Sequence, residues 1–123
     1  MDEVYKLQVE VLKTLANVRR LEIIHLLADG PRDVSRLAAE MGISQPNVSQ
    51  HLAIMRAAGV VEAERDGREV RYRLSDPEIM CACETMRGVL LRRLNRISVA
   101  VTRTPAEVLA ERASAAASNQ TTT

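Results

Sequence analysis

Few residues in this chain carry obvious chemistry. Cys81 and Cys83 stand two positions apart, and His25 and His51 are the only histidines. A neutral hydrogen-bonding run, Gln45, Asn47, Ser49 and Gln50, interrupts an otherwise charged and aliphatic sequence. Closely spaced thiols suit thiophilic metals, metalloids or oxidants, because a thiolate is both a soft ligand and a nucleophile. On a straight helix, however, positions 81 and 83 are about 200° apart, so one chain's pair does not readily close on one ion. Two routes around this exist: fraying of the helix start near Cys81, or a second copy bringing thiols to Cys83. The helix dipole and Arg87 favour thiolate, while Glu78 and Glu84 oppose it. The plain alternative makes Cys83 a small apolar packing residue. His25, inside LEIIHLLA, reads as a core histidine with a backbone partner. His51 reads as a structural hydrogen bond or a phosphate contact. Met41, Met55, Met80 and Met86 fall at helical spacing and read as packing. No nucleophile with a base, phosphate loop or carboxylate pair stands at a spacing that supports catalysis, so the chain does not read as an enzyme.

The neutral run needs a helix to present it, and ISQPNVSQHLAIMRAAGVV (residues 43–61) supplies one. Ser44 can cap its first turn, Pro46 is tolerated there, and Gly59 marks its end. Val48, Leu52 and Met55 recur at four and three residues and form an inward stripe, leaving the neutral residues outside it. A solvent face would usually carry Lys and Glu. Gln and Asn instead pair bidentately with adenine, and Ser with either kind of partner, so the face suits DNA base edges. Gly42 permits the tight turn of a helix-turn-helix before it.

The other elements must hold that helix. A chain of 123 residues is one domain with a real core. With no Phe or Trp and only Tyr5 and Tyr72, the core is aliphatic and base stacking on aromatics is disfavoured. The formal charge of +1 confines nucleic-acid binding to a local patch. No apolar run spans a bilayer and Met1-Asp2-Glu3 is acidic where a secretory signal would be basic, so a cytoplasmic protein with no membrane partner is expected. Two cysteines two apart are not a disulfide framework.

In order, α1 (residues 2 to about 16) shows two apolar stripes: Val4, Leu7, Val11 and Leu15, then Tyr5, Val9 and Leu12. They serve either one core and a second subunit, or a single monomer. Helix α2 (18 to about 29), capped by Asn17, is apolar nearly all round and should lie centrally. Asp33 caps α3, which runs through 41 with Val34, Leu37, Ala38 and Met41 inward, and leads through Gly42 to α4 (44–59). The period then drops to two. Asp66-Gly67 reads as a hairpin turn pairing Arg65 with Arg68, Glu64 with Glu69, Ala63 with Val70, Glu62 with Arg71 and Val61 with Tyr72. One face collects Val61, Ala63, Val70, Tyr72 and Leu74, and arginines sit at the tip, where they can reach phosphate or the minor groove. Asp76-Pro77 starts α5, whose Ile79, Cys83, Met86, Leu90, Leu94, Ile97 and Val101 form a heptad-like seam fitted to a dimer contact. Thr104-Pro105-Ala106-Glu107 is a capping box. The expected division is 1–101 for DNA binding and dimerisation, 102–117 for a helical extension and 118–123 for a flexible tail.

With these elements placed, residues from about 15 to 94 resemble the arsenic-repressor (ArsR/SmtB) family of dimeric winged-helix repressors. The motifs are LANVRRLEIIHLL, ISQPNVSQHLAIMRAAGVV and REVRYRLSDP, the second being the most specific. The resemblance implies a mainly α fold with a small β-hairpin, a winged helix-turn-helix of order α1-α2-α3-α4-β-β-α5, and a homodimer through α1 and α5. It also implies binding of double-stranded DNA at an inverted-repeat operator, and release by an effector. By that likeness Gln45, Asn47, Ser49, Gln50 and His51 face the major groove, with Arg65, Arg68 and Arg71 on the wing. Asn47 stands where many members carry a smaller residue.

The family's known sensing positions are not matched. The third helix has no cysteine, the last helix no histidine, and the second helix no cysteine. Cys81 and Cys83 remain as the candidate site for arsenite, a soft metal ion or an oxidant. No cofactor is required for the fold. Two alternatives stand beside this reading: an effector-independent winged-helix regulator, and a winged-helix module that docks a protein and does not read DNA.

Overall fold

The computed structural model describes residues 1–102, 107, 109, 110 and 112–115. Its elements are α1 (Asp2–Leu15), α2 (Val18–Leu27), α3 (Val34–Met41), α4 (Gln45–Ala57), β1 (Val61–Asp66), β2 (Glu69–Leu74) and α5 (Glu78–Thr102), in the order the sequence implies. They form two compact units, Met1–Cys83 and Glu84–Thr123. The capping box at 104–107, apart from Glu107, and the tail 118–123 lie outside the described residues. Among the described residues no helix is long and apolar enough to cross a membrane.

Short polar side chains start the helices by accepting from amides that lack helical partners. Asn17 Oδ1 accepts from the Arg20 N–H at 3.2 Å, Asp33 Oδ1 from Arg36 at 2.7 Å and Ser44 Oγ from Asn47 at 3.3 Å. Asp76 Oδ1 accepts from Glu78 at 2.9 Å, directly before α5. Between α3 and α4 the chain turns at Gly42, with φ +68°, and the Gly42 and Ile43 amides both donate to the Ala38 carbonyl, at 2.9 and 3.2 Å. A left-handed residue is needed to close that turn, and glycine takes it without a Cβ penalty.

The core draws on Ile23, Ile24 and Leu27 of α2, Leu37 and Ala38 of α3, Val48, Leu52 and Met55 of α4, and Val60 and Val61 at the start of the hairpin. The three α4 residues are fully buried, as their spacing predicts. Val11 and Leu15 of α1 pack against this core, whereas Val4 and Leu7, earlier on the same stripe, are 62% and 67% exposed. Tyr5, Val9 and Leu12 on the other stripe are exposed too.

Two expectations for α2 fail. The helix is not buried all round, since Val18 and Leu21 are exposed, and His25 is an exposed residue and not a core histidine. The cause is angular: Ile23, Ile24 and Leu27 define the inward side, and position 25 is about 200° from position 27 on a helix of 3.6 residues per turn. An apolar composition concealed a one-sided helix.

The hairpin register also differs. The turn is Gly67-Arg68, one residue later than expected, and the pairs are Asp66 with Glu69, Arg65 with Val70, Glu64 with Arg71, Ala63 with Tyr72, Glu62 with Arg73 and Val61 with Leu74. Gly67 has φ +65°, while among the described residues no non-glycine residue has positive φ. That is the demand of a turn with a left-handed first central residue, which glycine meets without a Cβ penalty. The shift keeps the apolar side chains on their face and replaces the repulsive Glu64–Glu69 pair with Glu64 opposite Arg71.

One arginine ties this hairpin to the helices. The Arg32 side chain is only 10% exposed. Its guanidinium donates to the carbonyls of Leu26 and Gly30 at the end of α2 and, through Nε at 3.0 Å, to Glu40 of α3. Its backbone exchanges two hydrogen bonds with Tyr72 of β2, at 3.1 and 2.8 Å. The Arg36 guanidinium, and then that of Arg32, hold the Glu40 carboxyl below its ordinary pKa. Removing a charged donor from such a place orphans several acceptors, so Arg32→Ala should cost about 2–3 kcal/mol in denaturant unfolding at fixed protein concentration. Arg32→Lys should recover only part, because an ammonium cannot supply the planar fork. Equal stability of Arg32→Ala and the parent would contradict this role.

Candidate nucleic-acid interface

Helix α4 is fixed by its buried stripe, so its other faces are determined. Gln45, Asn47, Ser49 and Gln50 are all exposed. Gln50 stands about 200° from Val48 and so points most directly away from the core. From Gln45 to Met55 the helix has no Lys, Arg, Asp or Glu, and Arg56 is its one charged residue. What it offers is a set of neutral donors and acceptors on a rigid rod, fitted to base edges and poor at holding phosphate.

The charge is on the wing. Arg73 Nη2 lies 2.9 Å from Glu62 and Nη1 3.4 Å from Glu64, and the hydrogen bond to Glu62 is the leading cause of its raised pKa. Arg71 is 3.6 Å from Glu69. Arg65 and Arg68 flank and occupy the turn, are exposed, and are in no ion pair among the described residues. The strand arginines are thus engaged by Glu62, Glu64 and Glu69, while Arg65 and Arg68 stand at the tip with Asp66 between them. From the sequence Arg73 is expected only as a diagonal neighbour of the Glu64–Glu69 pair; in the observed register it lies directly opposite Glu62 and also reaches Glu64. The signal was present in the Glu64–Glu69 clash, which a one-residue shift of the turn removes.

The cysteines separate as helical geometry requires. Cys81 is exposed, and Cys83 is half-buried against the core with Ile79 and Met80. Among the described residues no three His, Cys, Asp or Glu side chains gather as a metal site. The pair of one chain thus does not fit a single chelated ion.

His51 is the one predicted DNA residue that is partly inside. It is half-buried, and its Nδ1 is buried without a hydrogen-bond partner. Burial pushes the imidazole below its ordinary pKa of 6.5, and the nearby guanidinium groups of Arg20 and Arg19 push it further the same way. Protonation would place a charge and an unpaired N–H in that pocket. Because the folded value lies below the unfolded one, the associated stability is complete above pH 6.5 and is lost as pH falls through the folded pKa. His51→Gln should flatten the loss of thermal stability below pH 6.5 relative to the parent, as measured by melting temperature against pH. Parallel profiles would show that His51 contributes nothing to it.

With this geometry in hand, the likeness to known proteins is specific. Residues 17–63, which hold α2, α3 and α4 and enter β1, match the family described as bacterial regulatory protein, arsR family. The chain is 39% identical over 100 residues to an uncharacterized HTH-type transcriptional regulator, Rv0081 of Mycobacterium tuberculosis, covering 80% of this chain and 88% of that one. The crystal structure of Rv0081 superposes with a TM-score of 0.70 at 38% identity, over 77% of this chain and 96% of that one. The solution structure of a homodimeric winged helix-turn-helix DNA-binding domain, Mb0332 of Mycobacterium bovis, gives a TM-score of 0.71 at 30% identity, over 77% and 88%. The HTH-type transcriptional repressor SmtB of Mycobacterium tuberculosis is 49% identical over 67 residues, which is 54% of this chain and 50% of that protein. The neutral helix and the arginine-tipped wing therefore belong to a DNA-binding winged helix-turn-helix, and the chain is a transcriptional regulator of the ArsR family.

Proposed function

We propose that the chain is a homodimeric repressor that reads an inverted-repeat operator through Gln45, Asn47, Ser49 and Gln50 of α4 while Arg65, Arg68 and Arg71 of the wing meet phosphate. The carrying observation is the division of labour between a neutral exposed helix face and a charged hairpin tip on one rigid unit. Arg65 and Arg68 carry most of the phosphate contact, since Arg71 is already shared with Glu69. His51 serves at the rim of the helix, with Nε2 as the atom left to reach a phosphate.

Dimerisation is supported by two separately exposed apolar surfaces. Val4, Tyr5, Leu7, Val9 and Leu12 lie on α1, and Met86, Leu90, Leu94 and Ile97 on α5, each 46% exposed or more in the single chain. Isolated apolar residues on a monomer surface are ordinary, but aligned stripes of this kind mark contact with another chain. A twofold axis presents α4 twice, about one helical turn of DNA apart, which is the origin of an inverted repeat.

The effector in this reading is an oxidant, a soft metal ion or a metalloid such as arsenite, met by Cys81 and Cys83. Cys81 offers an accessible thiol. A bound ion would require thiols from both copies, since the pair of one chain diverges.

Gln50→Ala should weaken binding to DNA carrying the specific site by about 1–3 kcal/mol and leave nonspecific binding intact. Arg68→Ala should weaken both and reduce the slope of log affinity against log salt by about one per copy. Unchanged affinity in both variants, measured by fluorescence anisotropy across a salt series, would contradict the placement of helix and wing. For sensing, the Cys81→Ser, Cys83→Ser double variant should bind DNA as the parent does and fail to release it when arsenite, zinc, cadmium or peroxide is added. Release by any of these that matches the parent's would remove that agent from the cysteine mechanism.

A further inference from the structure

The outward face of α4 does not end at Gln50. One turn further on it presents Ala53, exposed, and Ile54, which is 46% exposed, followed by exposed Ala57. None belongs to the buried core, whose α4 members are Val48, Leu52 and Met55. Ala53 and Ala57 add nothing beyond a methyl group, so this part of the helix can approach a surface closely. Ile54 adds a branched apolar end beside them. The strip is continuous with the polar face already assigned to base edges and lies on the same fully determined helix.

The floor of the DNA major groove offers one apolar group, the 5-methyl of thymine, and small apolar side chains are its usual contacts. Ala53 lies about 4.5 Å along the helix axis from Gln50, at 1.5 Å per residue. This is close to the spacing of about 3.4 Å between successive bases of a strand. With a Gln50 amide engaged with adenine N6 and N7, the neighbouring apolar strip would lie within reach of an adjoining base pair.

We infer that Ala53 and Ile54 form a thymine-methyl reading patch beside Gln50, so that each half-site holds a thymine next to the adenine that Gln50 contacts. The inference rests on α4 being the reading helix, and the test keeps the two claims apart.

The full-length chain is used to enrich duplexes from a random library, and each thymine of the enriched half-site is then replaced singly by deoxyuridine, which removes only the methyl and preserves pairing. The expected result is a loss of affinity at one or two positions of about fourfold each, the value of one methyl group withdrawn from water. Those positions should adjoin the adenine at which Gln50→Ala relaxes selectivity. In the Ala53→Ser, Ile54→Ala double variant, checked for an unchanged melting temperature, thymine and uracil duplexes should bind alike. Enrichment of a defined site that tolerates uracil at every position would overturn the methyl patch and leave α4 as the reading helix. Persistence of the uracil effect in the double variant would overturn it as well. Failure to enrich any sequence would overturn both claims. The uracil measurement on the parent chain stands whether or not the variant folds.

Discussion

The guanidinium of Arg32 is the contact on which the geometry of the DNA-binding unit depends. Three elements meet at this residue: α2 through the carbonyls of Leu26 and Gly30, α3 through Glu40, and β2 through the two backbone bonds to Tyr72. A two-stranded hairpin is at best marginally stable alone. Here it gains a third backbone partner from the loop before α3, and its root is fixed by buried Val60 and Val61 and by the Ser75 hydroxyl, which donates to the Gly59 carbonyl at 2.6 Å. Wing and reading helix are thereby parts of one body. On the proposed reading, a phosphate held at Arg68 would set the register in which Gln50 meets a base.

A second guanidinium does comparable work at the other side of α4. Arg20 donates through Nε to the Thr14 carbonyl, near the end of α1, while its charge acts on His51 of α4. The Thr14 hydroxyl is turned inward to the Glu10 carbonyl at 3.0 Å, leaving its own carbonyl to Arg20. Arg20 of α2 thus binds the end of α1 while its charge opposes protonation of His51 at the rim of α4.

Local chemistry was legible in the sequence, and long-range chemistry was not. Asn17, Asp33, Ser44 and Asp76 were read as caps because a cap is defined by residues three apart or fewer. Val48, Leu52 and Met55 were read as core because their period is fixed by the helix itself. Composition misled where it stood in for direction: LEIIHLLA looked central, yet it turns Leu21 and His25 outward. The hairpin turn was placed one residue early because Asp-Gly is a frequent turn pair. The deciding quantity, cross-strand charge between Glu64 and Arg71, is visible only when both strands are set together. Arg32 gave no signal, since its partners come from three elements separated in the chain. The polar half of the α4 face was read and its apolar half was not, because Ala53 and Ile54 resemble core residues until burial is known.

The net charge of +1 takes on meaning through this arrangement. Nonspecific affinity for DNA scales with the number of phosphates neutralised, and a protein with arginines scattered over its surface would hold any sequence. In this hairpin Glu62, Glu64 and Glu69 engage Arg73 and Arg71, and on the proposed reading the tip pair, Arg65 and Arg68, would be the ones to meet phosphate. The reading helix adds no cation before Arg56. On the proposed reading this would keep electrostatic attraction modest while hydrogen-bonding and apolar contact with base edges supplied the rest, so that the ratio of specific to nonspecific binding would rise even if the absolute affinity did not. On that same reading, in which an effector releases the protein, a small electrostatic contribution would be an advantage, because little residual charge attraction would remain once the base contacts of α4 were lost.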